Sequence, residues 1–137
     1  MILVDTSGLL ALLDRGEPEH ARVTTALRRE RGPLMVTDLV LAEADFLVLK
    51  RLGGAAERDF VAQVIGGVFM REAVSDVDLR RAHEICARYG DLALGLTDAT
   101  LMALTERLRV RRVLTLDRRH FAAFRDHRGR ALELLPA

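Results

Sequence analysis

Residues 1–8, Met1-Ile2-Leu3-Val4-Asp5-Thr6-Ser7-Gly8, join a continuous apolar run to an abrupt polar stop. A short apolar run that ends so sharply predicts a buried β-strand. Asp5 follows this strand directly, in the region where open α/β sheets bind their ligands, at the carboxyl ends of the strands. The stretch therefore predicts the first strand of an α/β sheet and an acidic residue at its functional edge.

A second apolar run of this kind, Val113-Leu114-Thr115-Leu116, is closed by Asp117. Two parallel strands that end in this way would bring Asp5 and Asp117 to one edge of the sheet, and Glu43 and Asp98 occupy helices of the same framework. Clustered carboxylates repel one another unless positive charge lies between them, so a hard divalent cation is the natural candidate for a partner.

Strand candidates alternate with helical segments along the chain, which predicts βαβ units and a mostly parallel sheet. The predicted strands are residues 1–5, 34–36, 68–74, 112–116 and 131–135, and the predicted helices are 8–13, 17–31, 38–52, 55–65, 76–89 and 97–108, with a short helical turn after Asp117. Thr6 or Ser7 is predicted to cap the first helix, and Thr97 to introduce the last long one.

Composition favours one globular domain, because half of the 137 residues are apolar and 30% are charged. No apolar stretch reaches the roughly 20 residues of a membrane span. The N-terminus has no basic segment ahead of its apolar residues, which argues against a signal peptide and favours a cytoplasmic protein. The single cysteine, Cys86, excludes an internal disulfide and is expected in the core.

Positive charge is concentrated near the C-terminus. Residues 107–137 contain nine basic and three acidic side chains, whereas residues 1–106 contain 12 basic and 17 acidic ones. Nearly all the basic residues are arginines, which bind phosphate through two parallel hydrogen bonds. Contacts to a nucleic-acid backbone are therefore one interpretation, with Arg118, Arg119, Arg125, Arg128 and Arg130 as candidates. Solvated surface charge in the protein of a high-GC prokaryote is the other.

Each acid also has a structural interpretation. Glu43 shares a helical stripe with Leu39, Phe46 and Leu47, so it requires a partner if that stripe is buried. An arginine or the solvent would serve as well as a metal. Asp98 in a first helical turn would stabilise the helix dipole. The placement of all four acids in one framework, rather than any single acid, indicates a site.

The motifs resemble those of PIN-domain ribonucleases, particularly the VapC-type toxins of toxin–antitoxin pairs. The similar segments are residues 1–10, Thr37–Glu43, Leu96–Ala99 and Leu114–Phe121, in the expected order along essentially the whole chain. The resemblance implies a single PIN domain over residues 1–137, with a three-layer αβα architecture. It also implies that Asp5, Glu43, Asp98 and Asp117 form a catalytic Mg²⁺ or Mn²⁺ site. Asp91 after Gly90 is at most a peripheral acid.

The family function would be metal-dependent hydrolysis of RNA phosphodiester bonds. The resemblance further implies a VapB-type antitoxin and a homodimer. Hydroxyls and basic groups near the acids are candidates to contact the substrate, namely Thr6, Ser7, Thr115, Arg118, Arg119 and His120. A two-histidine acid–base ribonuclease fits poorly, because His120 has no apparent histidine partner.

Three other functions fit the sequence less well. A haloacid-dehalogenase-type phosphatase would have a second aspartate where this chain has Ser7, and a P-loop enzyme would have a G-x-x-x-x-G-K-[ST] motif, which is absent. A catalytically inactive PIN-fold module that binds RNA or protein is the main alternative, and loss of metal-dependent cleavage on substituting one acid would separate it from an enzyme.

Overall fold

A computed structural model describes all residues, 1–137, as a three-layer α/β/α domain. The strands are β1 (Ile2–Val4), β2 (Leu34–Thr37), β3 (Met70–Glu72), β4 (Arg112–Leu114) and β5 (Glu133–Leu135). The helices are α1 (Thr6–Leu13), α2 (His20–Arg28), α3 (Asp38–Leu52), α4 (Gly54–Ile65), α5 (Asp76–Arg88), α6 (Leu96–Leu108) and α7 (Arg118–Ala123), with a 3-10 turn at Gly90–Leu92.

All five strands are parallel, in the order β3-β2-β1-β4-β5. The chain builds outward from β1 to one side through β2 and β3, then returns to the other side through β4 and β5. The order therefore reverses between β1 and β4. In parallel α/β sheets, the crevice at such a reversal, beyond the carboxyl ends of the strands, is where ligands bind.

The core explains why β1 is continuously apolar. Leu3 and Val4 have no exposed surface, because parallel strands are covered by helices on both faces. α6 contributes Leu101 and Leu104, both fully buried. Burial of each such side chain stabilises the fold by about 1.5–3 kcal/mol. The central strands and α6 are therefore the rigid part from which the functional edge projects.

Gly8 brings α1 close to β4. A Cβ atom at this position would lie 2.5 Å from the carbonyl oxygen of Leu114. Only glycine allows an approach this close, so Gly8 fixes the start of α1 against the end of β4. The two segments that carry Asp5 and Thr115 are thereby held together.

Several predicted boundaries were too wide. α2 begins at His20 rather than Glu17, because the chain turns through Glu17–Glu19 first, and it ends at Arg28. The strands predicted at 68–74, 112–116 and 131–135 are each reduced to three residues. Beyond β4, Thr115 still donates its N–H to the Leu135 carbonyl oxygen, at 2.9 Å, while its side chain turns into the site.

Two predicted caps were wrong. Asp5 caps α1, because its carboxylate accepts the backbone N–H of Thr6, and Thr6 and Ser7 are already helical. Gly95 occupies the cap position of α6, so Thr97 lies inside the first turn of that helix. Both changes free a hydroxyl-bearing side chain for contacts with an acid.

The predicted burial of Cys86 was wrong, and the stripe beside Glu43, whose burial the sequence left open, lies outside the core. The apolar stripe beside Glu43 is not buried: the inner face of α3 is formed by Val40, Ala44 and Val48, while Phe46 is 62% exposed. Cys86 is half-buried at the edge of the core, and its thiol points at the Leu94 carbonyl oxygen, 3.7 Å away. No helix is long and apolar enough to cross a bilayer.

Candidate active site

Asp5 is the organising residue of the crevice between β1 and β4. It is 4% exposed, and its Oδ1 accepts the Thr6 N–H at 2.7 Å. Its Oδ2 accepts the hydroxyls of Ser7 and Thr115, each at 2.7 Å. Three donors therefore fix the orientation of this carboxylate, so that it is pre-oriented at the strand edge.

The two hydroxyls extend the network to the next acid. Ser7 Oγ accepts the Leu116 N–H, and Thr115 Oγ1 accepts the Asp117 N–H, both at 2.9 Å. Ser7 and Thr115 thus tie the end of β1 to the loop that carries Asp117. The structure places them as supports for the acids, in addition to any contact with a substrate.

Asp98, Asp117 and His120 converge beside Asp5. The His120 Nδ1 lies 2.9 Å from Asp117 Oδ2 and 3.3 Å from Asp98 Oδ2. Asp117 also caps α7, since its Oδ1 accepts the His120 N–H at 3.2 Å. One ligand atom from each of the three residues lies within 4.8 Å of the others.

The positive charge near Asp98 is too small to offset its burial and the repulsion from the neighbouring acids. Burial and the nearby carboxylate of Asp5 raise the pKa of Asp98 to about 6, and Asp117 adds to the effect. The hydrogen bond from His120 opposes the rise without cancelling it. At neutral pH the pocket therefore holds a carboxylate whose charge the protein alone stabilises poorly.

Glu43 faces the same pocket from α3. It is exposed, and it has no arginine partner; the Thr97 hydroxyl donates to its Oε2 at 3.1 Å. The two residues join the first turn of α6 to the middle of α3. All four acids predicted from the sequence line one pocket of about 400 Å³.

Two further charged residues line this pocket and were missed in the sequence. Arg51 follows Glu43 and Leu47 at helical spacing, which places all three on one face of α3. That spacing was visible in the sequence. Glu17 precedes α2, where an acid is typical of a helix start, and nothing local indicates that its loop returns to the sheet edge.

The predicted substrate-contacting residues lie at different places. Thr6 lines the pocket, and its hydroxyl is buried without a hydrogen-bond partner. Arg118 donates to the Pro136 carbonyl oxygen at the C-terminus, and Arg119 is exposed on α7. Neither arginine lines the acidic pocket.

The donor set fits a divalent cation. Carboxylate oxygens are the ligands that Mg²⁺ and Mn²⁺ prefer, and an imidazole is compatible with Mn²⁺. The raised pKa of Asp98, caused by burial and by its acidic neighbours, is the effect that a bound cation would reverse. Asp98 and Asp117 are therefore a candidate ligand pair, with Asp5 fixed beside them.

The arrangement is that of a parallel α/β protein with a carboxylate-lined crevice at the point where the strand order reverses, which is where such sheets bind their ligands. The sequence profile of the PIN domain matches residues 2–126. Ribonuclease VapC26 of Mycobacterium tuberculosis is 36% identical over 135 residues, which span 98% of this chain and 100% of that protein. The chain therefore belongs to the PIN-domain family, and its full-length relative places it with the VapC-type members.

Solved structures agree with this assignment at the level of the fold. VapC20 of Mycobacterium tuberculosis, a toxin that cleaves the sarcin–ricin loop, superposes with a TM-score of 0.79 at 24% identity, covering 86% of this chain and 91% of its own. A toxin–antitoxin complex from Klebsiella pneumoniae superposes with a TM-score of 0.70 at 20% identity, covering 90% of this chain and 92% of its own. FitAcB from Neisseria gonorrhoeae superposes with a TM-score of 0.67 at 17% identity, covering 86% of this chain and 88% of its own.

Proposed function

We propose that this protein is a metal-dependent endoribonuclease and the toxin of a VapBC-type toxin–antitoxin pair. The observation that supports the proposal most strongly is the convergence of Asp98, Asp117 and His120 beside the fixed carboxylate of Asp5. The ribonuclease relative that matches the whole chain supplies the substrate class. The reaction is hydrolysis, in which water attacks phosphorus and one P–O ester bond breaks.

Asp5, Asp98 and Asp117 are the residues proposed to hold Mg²⁺ or Mn²⁺. When bound, such an ion lowers the pKa of a coordinated water and neutralises charge on the phosphoryl oxygens. Asp5 would contribute orientation, because three donors already fix it. His120 bridges two of the acids and holds them at a fixed separation.

Glu43 is the acid least constrained by the protein. One of its oxygens accepts the Thr97 hydroxyl, and its side chain otherwise faces the pocket and the solvent. This freedom suits a residue that orients the attacking water and accepts its proton. Glu43 is therefore proposed as the base, with Thr97 as its positioning residue.

RNA contacts are proposed for Thr6, Ser7 and Thr115 within the crevice and for Arg118, Arg119 and His120 at α7. Thr6 lines the crevice, and its buried hydroxyl has no hydrogen-bond partner within the protein. The exposed guanidinium of Arg119 is proposed to contact backbone phosphates, the commonest partners of arginine in nucleic-acid complexes. These contacts would supply affinity more than sequence choice.

An antitoxin and a second copy of the chain are the proposed protein partners. Large apolar side chains are exposed along α3 and α4 and the segment that follows, including Phe46, Leu49, Ile65 and Val68. Such a concentration is typical of an interaction surface. The cytoplasm is the proposed location, because the proposed substrate is cellular RNA.

Cleavage of total cellular RNA by the purified, antitoxin-free protein tests the catalytic proposal. Reactions with Mg²⁺, with Mn²⁺ and with chelator are compared for the wild type and Asp98→Asn. Discrete fragments that require metal and are absent with Asp98→Asn are expected. Asp5→Asn is less suitable, because losing an acceptor for Ser7 and Thr115 would also disturb the crevice.

Asp91→Asn is the matched control, since Asp91 is exposed in the 3-10 turn and lines no part of the pocket. It should cleave as the wild type does. If correctly folded wild-type protein binds RNA yet cuts none under either metal, the inactive binding module replaces the enzyme. Co-purification with the product of a neighbouring small gene, and neutralisation by it, tests the antitoxin separately.

A further inference from the structure

A second charged pocket lies at the other end of α6 from Asp98, and its charge is of opposite sign. Its volume is about 300 Å³, and none of its seven lining residues is apolar. Five are arginines, from the end of α6, the start of β4 and the turn at 126–130; the others are Glu106 and His127. Because the strands are parallel, this pocket lies at the amino edge of the sheet and the acidic pocket at the carboxyl edge.

Two buried carboxylates fix the wall of this pocket. Asp126 is 5% exposed, and it accepts the backbone N–H groups of Arg128 and Arg130 and the Nε of Arg130, each at 2.9 Å. Glu106 accepts the His127 N–H at 2.6 Å. Backbone hydrogen bonds thus anchor the turn that carries three of the lining residues. The Cα positions from which their side chains extend are fixed as a result.

The lining carboxylate does not neutralise the pocket. Both oxygens of Glu106 already accept from Arg81, at 2.7 and 3.1 Å, outside the pocket lining. Burial would raise the pKa of Glu106, but the hydrogen bonds from Arg81 and His127 outweigh it and lower the pKa. Its negative charge is therefore matched by Arg81, so Glu106 does not cancel the charge of the lining arginines.

Some of these guanidiniums have bonding capacity left. Arg107 and Arg130 are held by Asp78 and Asp126. Arg111 donates to the Ala131 carbonyl oxygen and lies 3.8 Å from the Glu133 carboxylate. Arg109 and Arg128 are exposed, and their side chains make no hydrogen bond or ion pair. Two guanidinium groups that are free to donate paired hydrogen bonds, beside three that are held in place, suit a tetrahedral oxyanion.

We propose that this arginine pocket, formed by Arg107, Arg109, Arg111, Arg128 and Arg130, binds phosphate groups. None of the lining residues is apolar, and the charge of the arginines favours an anion, so phosphate is the chemistry that this pocket would recognise. The phosphates belong either to a polynucleotide strand or to a free polyphosphate. The site is separate from the acidic pocket, and the proposal does not require that the protein cleave RNA.

The test uses the full-length protein in chelator, so that no cleavage occurs. The variant Arg109→Gly/Arg128→Gln removes the two free guanidiniums, and Arg31→Gln/Arg80→Gln is the charge-matched control, since both of its arginines are exposed and lie outside both pockets. Affinity for pyrophosphate is measured by calorimetry, and affinity for a labelled single-stranded RNA is measured across a salt series.

Weakening of pyrophosphate binding by about tenfold in Arg109→Gly/Arg128→Gln, but not in the charge-matched control, is the expected result. If RNA is the source of the phosphates, the slope of log K against log salt also falls by about 1.4, or 0.7 for each phosphate left without its arginine. A change with pyrophosphate alone assigns the pocket to free polyphosphates.

Equal affinities in Arg109→Gly/Arg128→Gln and the control, for both ligands and with both proteins folded, would overturn the proposal. The outcome is independent of the nuclease assay. A protein without cleavage activity would still show phosphate binding here, and an active nuclease could fail this test.

Discussion

The two ends of α6 use charge in opposite ways. In the first turn, Asp98 lies among Asp5, Asp117 and a single imidazole, and burial with repulsion raises its pKa to about 6. In the last turns, Glu106 and Arg107 each have opposite charges within hydrogen-bond distance. The first end leaves its acids without enough positive charge, whereas the other end pairs Glu106 and Arg107 and leaves only the exposed Arg109 and Arg128 without partners.

The difference separates function from stability within one helix. A carboxylate cluster that the protein stabilises poorly lowers the stability of the metal-free state, and it persists where a ligand is to supply the missing charge. Removal of the arginine from a buried acid destabilises the fold strongly, because a buried charge is left without compensation. Substitution of Asp98 should therefore change the rate of catalysis most, and substitution of Arg107 should change the free energy of unfolding most.

The largest expected effect is on catalysis at the first end. Asp98→Asn should lower the single-turnover rate of RNA cleavage by about 10²–10³-fold, because several kcal/mol of electrostatic stabilisation by the metal depend on its ligands. The fold should persist, since His120 is the only hydrogen-bond partner of the Asp98 carboxylate. A rate within threefold of that of Asp91→Asn would remove Asp98 from the site.

The next effect is on stability at the other end. Arg107→Met leaves Asp78, whose side chain is 2% exposed, without its charged partner, and should lower the free energy of unfolding by about 3–5 kcal/mol at pH 7. Arg71→Met is the control, because its partner Asp38 is exposed and such a pair contributes about 0–1 kcal/mol. Urea unfolding of both variants measures the difference.

The pH dependence of that loss follows from Asp78. Burial would raise the pKa of Asp78, but hydrogen bonds from Arg107 and Ser75 outweigh it, so the folded-state pKa is lowered. A lowered carboxyl pKa contributes stability above the unfolded value of about 3.9, and this stability disappears as the pH falls through the folded value. The gap between Arg107→Met and the wild type should narrow in acid; a constant gap would indicate that packing, rather than charge, is responsible.

A third, smaller effect has the opposite sign. In chelator, Asp98→Asn should raise the free energy of unfolding at pH 7 by about 2 kcal/mol, because the wild-type carboxyl has a raised folded-state pKa. A raised pKa gives stability below the unfolded value that is lost as the pH rises through about 6. The two proteins should therefore match near pH 4 and diverge toward pH 7.

Metal titration sharpens this third prediction. Saturating Mg²⁺ or Mn²⁺ should stabilise the wild type and leave Asp98→Asn nearly unchanged, because binding to the folded state alone raises stability. The difference in unfolding free energy between the two proteins at pH 7 would then become smaller or change sign. Equal stabilisation of both proteins by metal would place the cation away from Asp98.

The sequence predicted the acids at the strand edge well because the signal is local. An apolar run that ends in aspartate requires only the strand period and the polarity of parallel sheets, so Asp5 and Asp117 were placed correctly at the edge. Glu43 and Asp98 were placed in the same pocket through motif order. Their roles as catalytic and metal-binding residues stay a prediction.

The sequence did not predict features that depend on distant contacts. Asp5, rather than Thr6 or Ser7, caps α1, because the network around it is arranged by residues more than 100 positions away. Glu17 reaches the pocket only through the path of its loop. The burial of the apolar stripe of α3 stayed open at the level of the sequence, because helical periodicity marks a stripe and does not say which of two adjacent faces is buried.

The smallest expected effect tests whether the C-terminal end of α6 has a function of its own. Arg109 ends the helix in the left-handed region, at φ 56°, where a residue with a side chain costs about 1–2 kcal/mol. Arg109→Gly relieves this cost and adds about 0.5–1 kcal/mol of chain entropy, so a net gain of about 0.5 kcal/mol in unfolding free energy is expected.

Ala93→Gly is the matched control for this last comparison, because Ala93 has a φ of 50° and bears no charge. Both variants should gain stability, measured by urea unfolding, but only Arg109→Gly should also lose affinity for pyrophosphate. If both gain stability and neither loses affinity, Arg109 is an ordinary helix terminus that happens to carry charge. If Arg109→Gly alone loses affinity, the strained arginine is retained for binding, and α6 connects two functional sites of opposite charge.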